Sequence, residues 1–370
     1  MSRSTAPDVG IITTGHDVAD ARLHKITAAL QHRDLRVELW GLGDAAGGPA
    51  GATVHAGPRG NLVQRLARTA VLPWRTSAKV VMTVDPDMIP VTRFVTALRR
   101  RKLVVDVHED YERLLADRAW AKGPAGLPAR LIVRAGSKLA AGADLTVVAD
   151  SHLAPHQAKH RLVVQNLPDH GFLAPSPPTG APRAVYVGDL RTSRGLFDMV
   201  ETVAAAPEWS LDLVGPVAPS DRDRIEARIA QPDLGGRVRL HGRQPPADAW
   251  RIAHGAWASL AMLQPTPAFI EAMPSKIYEY LASGLPVLST RLPRQSKVIE
   301  ESGGGVLVDS VAEASEILRR WAADPGELEK LRDHALQWAS EHLPTTTPYD
   351  NLADAILYLL RGSASSKGRA

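Results

Sequence analysis

The chain contains 370 residues, of which 44% are hydrophobic, and this length predicts two domains rather than one. The absence of cysteine excludes disulfides, thiolate metal sites and cysteine nucleophiles. No apolar run is long enough to cross a bilayer and no secretory leader opens the sequence, so we expect a cytoplasmic protein.

Charge is distributed unevenly along the chain. Residues 1–165 carry 23 Lys and Arg against 15 Asp and Glu, whereas the remaining residues carry 21 against 25. A basic first half beside an acidic second half indicates an anionic partner for the first half.

The first half opens with a βαβ pattern. The pattern predicts a strand at 9–13, a loop at 14–17 that contains Gly15, a helix at 20–31 and a strand at 33–40. The loop is expected at the carboxyl end of the first strand, where open α/β sheets bind ligands. The glycine-rich stretch 41–51 cannot begin a helix, which argues against a dinucleotide-binding fingerprint there.

Two stretches of the first half are basic and amphipathic. Residues 59–77 carry four arginines among aliphatic residues and Trp74, and residues 91–102 carry five basic residues. Such stretches suit the surface of an anionic bilayer. They also suit helices whose charged side faces water, and the sequence leaves both interpretations open.

Two further strands end in polar residues. The strand at 80–84 is followed by Asp85 and Asp87, and the strand at 103–107 is followed by His108. Two carboxylates at a strand end could hold a metal ion. Pro86 fixes the backbone between them but does not aim both at one ion, so we predict no metal site. A lone histidine in such a position is usually structural.

A proline-rich stretch divides the chain, and the strand–helix pattern restarts after it. Residues 167–182 are predicted as a stiff linker. A strand at 184–187 precedes a loop at 188–195, which contains Gly188, Arg191 and Arg194. A guanidinium group can bind two phosphate oxygens at once.

The most informative stretch is 271–290. Ser275 is predicted to cap a helix at 276–282, and a short strand follows at 285–289. The free N–H groups of the helix start, with the helix dipole, favour an anion there. Glu279 lies one turn later on the face of Ser275, where its carboxylate can accept both hydroxyls of a ribose. Glu271 precedes the helix and would face the group beyond the phosphate, so the arrangement predicts a nucleotide-sugar; taken singly, each glutamate could equally be a solvated charge.

These residues resemble a known family. Glu271 and Glu279 match an E-x7-E motif, and residues 274–287 resemble the run P-S-K-x-x-E-Y-x-A-x-G-x-P-V. Both are typical of the family-four retaining glycosyltransferases with the GT-B fold, the glycosyl transferases of group 1. The resemblance implies an α/β protein with two Rossmann-like domains that face each other across a cleft.

The resemblance also implies domain roles. The acceptor domain would be 1–166 together with a C-terminal helix at about 348–361 that crosses back onto it. The nucleotide-sugar donor domain would be 183–345, and 362–370 would be a disordered tail.

The resemblance further implies site residues. It places His108 beside the donor sugar and identifies Arg194-Gly195 with the family's basic residue before glycine. His16, Asp20 and Arg22 match an H-x-x-x-D-x-R pattern whose loop lies near acceptor and donor diphosphate. Arg194, Lys276 and the helix start at Ser275 would neutralise the leaving diphosphate without a metal. The predicted catalytic residues are His108, Glu271, Arg194 and Lys276, and the predicted donor-binding residues are Gly15, Gly188, Arg191, Arg194, Ser275, Lys276, Ile277 and Glu279.

The sequence thus predicts a retaining glycosyltransferase of glycan biosynthesis that needs no cofactor beyond its nucleoside-diphosphate-sugar donor. The acceptor would be a glycan, a lipid-linked molecule or a natural product, and the enzyme would contact the inner face of the plasma membrane peripherally. Alternatives are a catalytically silent GT-B protein that binds a nucleotide-sugar, or a GT-B epimerase, for which we identify no acid–base set. Nucleic acid is not expected as a partner, because the basic stretches lack the regularly interleaved aromatics that stack on bases.

Overall fold

The computed structural model describes residues 6–108, 126–168, 173–267, 269–270, 275–344 and 348–365. The chain divides into two compact units. The first unit comprises Met1–Asn166 and Thr346–Ala370, and the second comprises Leu167–Thr345. Each unit contains one parallel sheet, of seven strands in the first and six in the second.

The sheet of the first unit has the strand order β3-β2-β1-β4-β5-β6-β7. Its strands are β1 (Val9–Asp17), β2 (Val37–Leu42), β3 (Thr53–Gly57), β4 (Val80–Thr83), β5 (Lys102–Val107), β6 (Leu145–Val148) and β7 (Arg161–Val163). The predicted loop at 14–17 is wrong, because β1 continues to Asp17 with irregular pairing between Ile12 and Asp17.

The helices of the first unit cover both faces of its sheet. They are α1 (Ala21–Gln31), α2 (Leu62–Arg75), α3 (Ile89–Leu98), α4 (Leu127–Ala140) and α12 (Pro348–Ser365). Ile11 packs in one core cluster with α1 and α12. Its neighbour Ile12 packs on the opposite face with Leu72 of α2. Alternate residues of β1 therefore serve different layers, as expected for a strand buried on both faces.

A buried ion pair joins α1, β5 and α12. Arg22 is 6% exposed and Asp106 is 1% exposed. The Arg22 guanidinium donates to both carboxylate oxygens of Asp106 at 2.7 Å, to the Val164 carbonyl at 3.1 Å and to the Tyr349 hydroxyl at 3.3 Å. Burial lowers the pKa of Arg22, but the neighbouring Asp106 raises it well above its usual range, so the arginine stays charged. The H-x-x-x-D-x-R arginine is therefore a structural residue here.

The last helix lies on the first unit, as the predicted fold class required. Tyr349 and Leu352 lie in the core of that unit, and Arg33, two residues after the end of α1, donates to Asp350 and Asp354. The predicted tail at 362–370 is wrong for 362–365, because α12 runs to Ser365. A glycine such as Gly362 weakens a helix by about 1 kcal/mol but does not end it. Residues 366–370 lie outside the described residues.

The sheet of the second unit has the order β10-β9-β8-β11-β12-β13. Its strands are β8 (Arg183–Val187), β9 (Ser210–Val214), β10 (Val238–Gly242), β11 (Ala258–Ala261), β12 (Val287–Thr290) and β13 (Gly305–Val308). Its helices are α5 (Leu196–Ala204), α6 (Arg222–Ile229), α7 (Pro246–Ala253), α8 (Ser275–Ala282), α9 (Pro293–Ser302), α10 (Val311–Ala323) and α11 (Pro325–His342).

The proline-rich segment predicted as a linker is attached to the second unit in its described part. The Ser176 hydroxyl accepts from the Gly255 N–H at 2.8 Å, and the Thr179 N–H donates to the Gly255 carbonyl at 3.0 Å. Leu173 packs in a small apolar cluster with Ala339 and Leu343. None of the helices in the described part of the chain combines the length and apolar composition that a membrane crossing requires.

The ion pair yields a stability prediction. Asp106→Asn leaves the Arg22 charge buried without its counter-ion, so we expect the free energy of unfolding to fall by about 3–5 kcal/mol. Urea unfolding of the full chain measures this loss. Arg22→Met/Asp106→Leu should recover most of it because no charge remains buried, and Asp354→Asn at the solvent-exposed pair should leave the midpoint nearly unchanged. If Asp106→Asn proved as stable as Arg22→Met/Asp106→Leu, the buried ion pair would not be the cause of the loss.

Candidate functional site

Each sheet reverses its strand order at one place. In the first unit the reversal lies between β1 and β4, and in the second it lies between β8 and β11. Open parallel sheets bind ligands at such places, outside the carboxyl ends of the strands. The loops that follow these four strands are therefore the candidate site of each unit.

Asp85 is the centre of the loop cluster in the first unit. It is 2% exposed, and its Oδ2 accepts from the Thr14 N–H at 2.6 Å, the Gly15 N–H at 3.0 Å and the Thr13 hydroxyl at 2.7 Å. Burial raises the pKa of Asp85, but the hydrogen bonds from His16, Thr13 and Thr14 outweigh it and hold the pKa well below its usual range. This carboxylate keeps the end of β1 in place, which explains why no open loop forms there.

The two carboxylates of the D-x-D segment have different partners. Asp87 accepts two hydrogen bonds from Arg65, each at 2.9 Å. Asp85 instead accepts from the Thr14 N–H at the end of β1. Among the residues that the structure describes, no three His, Asp or Glu side chains converge on a possible metal position.

His16 connects Asp85 to His108. Nδ1 of His16 lies 3.1 Å from Oδ1 of Asp85, and its Nε2 lies 3.0 Å from Nε2 of His108. An ionised carboxylate only accepts, so Nδ1 of His16 carries the proton in this contact. When His16 is neutral, its Nε2 accepts, and Nε2 of His108 must then donate. In that state Asp85 fixes the protonated nitrogen of His108 through His16.

The loops after β8 and β9 pack main chain against main chain. The Gly188 N–H donates to the Val214 carbonyl at 2.9 Å. A Cβ on Gly215 would lie 1.9 Å from the Gly188 carbonyl oxygen, and the φ of 152° at Gly215 also favours glycine. No side chain fits between the two loops at this point.

The loop after β8 also packs against the loop after β11. Gly195 has a φ of 76°, and a Cβ there would lie 1.9 Å from the Met262 carbonyl oxygen. The Gln264 N–H donates to the Ser193 carbonyl at 3.0 Å. Gly195 therefore permits close contact between the two loops that flank the reversal of the second sheet.

Arg191 and Arg194 lie on this loop. Arg191 donates to the neighbouring Asp189 at 2.8 Å, and the guanidinium carbon of Arg194 lies 5.5 Å from the centre of the Phe269 ring. Both side chains are half-buried. Stacking on an aromatic ring orients a guanidinium and leaves its edge able to donate.

The helix α8 begins at the same edge of the sheet, since it connects β11 to β12. Glu279 is 3% exposed and accepts from Lys276 Nζ at 2.8 Å. The hydroxyl of Tyr280 accepts from the Val187 N–H at 3.0 Å, which ties α8 to the end of β8. Burial raises the pKa of the Tyr280 phenol, which keeps it neutral. A buried carboxylate paired with one partly exposed lysine is not a solvated helix charge.

Most of the predicted site residues lie at the carboxyl edge of one of the two sheets. Gly15 and His108 lie at the carboxyl edge of the first sheet, and Gly188, Arg191, Arg194, Ser275, Lys276, Ile277 and Glu279 lie at that of the second. The Ile277 side chain is in the core, so only its backbone N–H at the helix start could bind a ligand. Glu271 lies outside the described residues.

Sequence reasoning underestimated two residues of the first unit. Asp85 was considered only as a metal ligand, and His16 only as part of a motif. A histidine and a carboxylate at the carboxyl ends of two strands could have indicated their contact, but only once those strands were known to be neighbours, since 69 positions separate them.

Comparison with known proteins identifies the fold. Residues 174–338, almost all of the second unit, match the family described as glycosyl transferases group 1. No curated protein sequence matches the chain. The structure is similar to sucrose-phosphate synthase from Thermosynechococcus elongatus, with 17% identity and a TM-score of 0.67 over 98% of this chain and 100% of that one. HepE from Anabaena, in complex with UDP and glucose, has 16% identity and a TM-score of 0.66 over 98% and 100%.

A third similar structure is WaaG, a glycosyltransferase involved in lipopolysaccharide biosynthesis. It has 15% identity and a TM-score of 0.61 over 94% of this chain and 99% of that one. The predicted GT-B fold class is confirmed, and the match over 174–338 supports the predicted relation to group 1 glycosyltransferases.

The low pKa of Asp85 predicts a pH dependence. A carboxylate whose folded pKa is depressed stabilises the fold above its unfolded pKa of about 4, and this stabilisation is lost as pH falls toward the folded value. Asp85→Asn should therefore be less stable than the parent protein at pH 7, and the difference should shrink below about pH 4. Urea unfolding of both proteins across this pH range measures it. Asp87→Asn serves as the control, and a difference for Asp85→Asn that persists unchanged in acid would refute the explanation.

Proposed function

We propose that the protein is a retaining glycosyltransferase that transfers a sugar from a nucleoside-diphosphate-sugar to an acceptor hydroxyl. The observation that carries the proposal is the buried Glu279 one turn inside α8, in the unit that matches group 1 glycosyltransferases. The helix start lies at the reversal of the second sheet, beside the loop with Arg191 and Arg194. This arrangement offers cationic groups for a diphosphate and a carboxylate for a ribose.

Glu279 would accept hydrogen bonds from the two ribose hydroxyls. It now accepts from Lys276, whose side chain is partly exposed. Ribose hydroxyls that reach Glu279 would compete with Lys276 for its oxygens, and the ammonium group could then turn to the diphosphate. Donor binding would thus replace the ion pair between Lys276 and Glu279 by hydrogen bonds from the ribose hydroxyls to Glu279 and by an ion pair between Lys276 and the diphosphate.

In the reaction the bond between the anomeric carbon and the diphosphate oxygen breaks, and the diphosphate leaves with the electron pair. The acceptor hydroxyl forms the new bond on the same face and gives its proton to an oxygen of the leaving diphosphate, and the same-face attack retains the configuration. Arg194, Lys276 and the N–H groups at Ser275 stabilise the charge that develops on the leaving group. Retention rests on the resemblance in 271–290.

The first unit would bind the acceptor, and His108 at the carboxyl edge of its sheet would contact a sugar hydroxyl. When His16 is neutral, Nε2 of His108 donates to His16, so Nδ1 of His108 would be the nitrogen that accepts from a sugar hydroxyl. Since HepE is in complex with UDP and with UDP-glucose in two of the similar structures, UDP-glucose is the first donor to test. Turnover of the donor with an acceptor separates this function from the catalytically silent alternative.

The ribose assignment predicts the effect of Glu279→Gln. The change keeps the shape and removes the charge, so UDP and UDP-glucose should bind more weakly by about 1.5–3 kcal/mol, or roughly 10- to 150-fold. Isothermal titration calorimetry measures this, with Glu329→Gln on exposed α11 as the matched control. Since Glu279 is buried, thermal melting without ligand must first show that the variant folds, and Arg194→Gln tests the diphosphate contact separately. A folded Glu279→Gln variant with parental affinity would exclude the assignment.

The arginine and lysine groups also predict metal-independent transfer. Activity should survive a chelator, because the leaving diphosphate is neutralised by side chains and helix N–H groups. The measurement is transfer with EDTA, then with added Mn²⁺. If EDTA abolishes transfer and Mn²⁺ restores it, the metal-free mechanism is wrong and Asp85 and Asp87 become candidate ligands.

A further inference from the structure

Three helices of the first unit carry most of the apolar side chains that the protein exposes. Of the twelve large hydrophobic side chains exposed among the described residues, ten lie on α2, α3 and α4. We call the outward side of these helices the basic–apolar face. A monomeric soluble protein rarely exposes a continuous apolar surface of this kind without using it for binding.

The helix α2 has its apolar side turned away from the core. Only Thr69, Leu72 and Pro73 of its 14 residues are buried, whereas Leu62 is 71% and Val63 is 74% exposed. At about 3.6 residues per turn, the exposed apolar positions fall on one side of the helix. That side is formed by Leu62, Val63, Leu66, Val71 and Trp74. A surface helix normally buries this side, but in the part of the chain that the structure describes no element covers it on α2.

The exposed apolar side chains form one surface across the helices. The rings of Trp74 on α2 and Phe94 on α3 meet edge to face, with centroids 6.4 Å apart. Arg99 donates to the Trp74 carbonyl at 2.8 Å and lies over its ring. Arg93 of α3 donates to the Leu139 carbonyl of α4 at 3.3 Å. The three helices are thus joined side by side.

The three helices of this face carry no acidic residue, although Arg65 and the nearby Lys102 pair with Asp87 and Asp144 outside these helices. The sequences of α2, α3 and α4 contain seven basic residues and no Asp or Glu, and residues 99–102 add four more basic residues. The opposite face of the same sheet provides an internal comparison. There α12 carries Asp350 and Asp354, and Tyr358 is its large exposed hydrophobic residue.

These features favour a bilayer over a protein partner. A symmetric dimer through this face would bring its arginines against those of the second copy, with no carboxylate on the helices to separate them. An anionic bilayer accepts aliphatic and aromatic side chains at the headgroup boundary while arginines reach the lipid phosphates. We propose that the basic–apolar face docks on a membrane surface that contains anionic lipids.

The docked face adjoins the candidate site of the first unit. Arg65 of α2 pairs with Asp87, and Arg59, which precedes α2, donates to the Gly15 carbonyl at 3.3 Å. A bilayer under α2 would therefore lie near the loop that contains Asp85. The docking itself does not depend on the proposed transferase activity, so either can fail without the other.

The test uses the full chain and vesicles of phosphatidylcholine with or without about 30% phosphatidylglycerol, at about 0.05 M and about 0.5 M salt. The protein should float with the anionic vesicles at low salt and dissociate at high salt. Leu66→Asp/Phe94→Asp should abolish flotation. Arg134→Gln/Lys138→Gln should weaken it by roughly five-fold for each basic residue lost.

Matched control variants carry the same kinds of substitution outside the basic–apolar face. Tyr358→Asp alters an exposed hydrophobic residue on the opposite face, and Arg319→Gln/Lys330→Gln removes two exposed charges from the second unit. Both should float like the parent protein, and circular dichroism should show every variant folded. Equal flotation with both lipids, no flotation, or an unaffected Leu66→Asp/Phe94→Asp variant would overturn the proposal. It would also be overturned by dimerisation that this variant abolishes, since a second copy would then cover the face.

Discussion

The ion pair between Arg22 and Asp106 fixes the arrangement of the first unit. Asp106 lies on β5 two residues before His108, and Arg22 binds it from α1 while also donating to Tyr349 of α12. Burying two charges costs several kcal/mol each, and their attraction offsets this cost only in the paired geometry. The pair therefore acts mainly by excluding other arrangements of these elements, and it directs the strand end from which His108 projects toward His16.

The elements that sequence reasoning predicted correctly have local causes. The apolar strand at 184–187 and the helix that opens at Ser275 follow from runs of neighbouring residues, and their observed bounds differ little from the predicted ones. The end of β1 was missed because its cause is remote. The N–H groups of Thr14 and Gly15 bond to Asp85, about 70 positions away, and no pattern in 9–17 records that contact.

In the candidate site, too, local features were predicted from the sequence and long-range contacts were not. A motif and helix geometry located Glu279 and Lys276, since both belong to one helix turn. The burial of Glu279 and the contact between Tyr280 and Val187 depend on how α8 meets the sheet, which spacing alone does not determine. The pairing of His16 with His108 spans 92 positions and required the strand order. Periodicity likewise predicted that α2 is amphipathic, but it could not tell which side faces the core.

The structure also explains the charge asymmetry between the two halves of the chain. Eleven of the 23 basic residues within 1–165 lie on α2, α3, α4 and residues 99–102, which contain no acidic residue themselves. Two of the eleven, Arg65 and Lys102, pair with Asp87 and Asp144. The other 12 are outnumbered by the 15 acidic residues of the same half, and several form ion pairs, as Arg22 and Arg33 do. The positive charge is therefore a property of one face and not of the whole unit. A charge that served only solubility would not need to lie on the helices that carry ten of the twelve large hydrophobic side chains exposed among the described residues. Their coincidence favours a partner surface that is anionic at its headgroups and apolar beneath them.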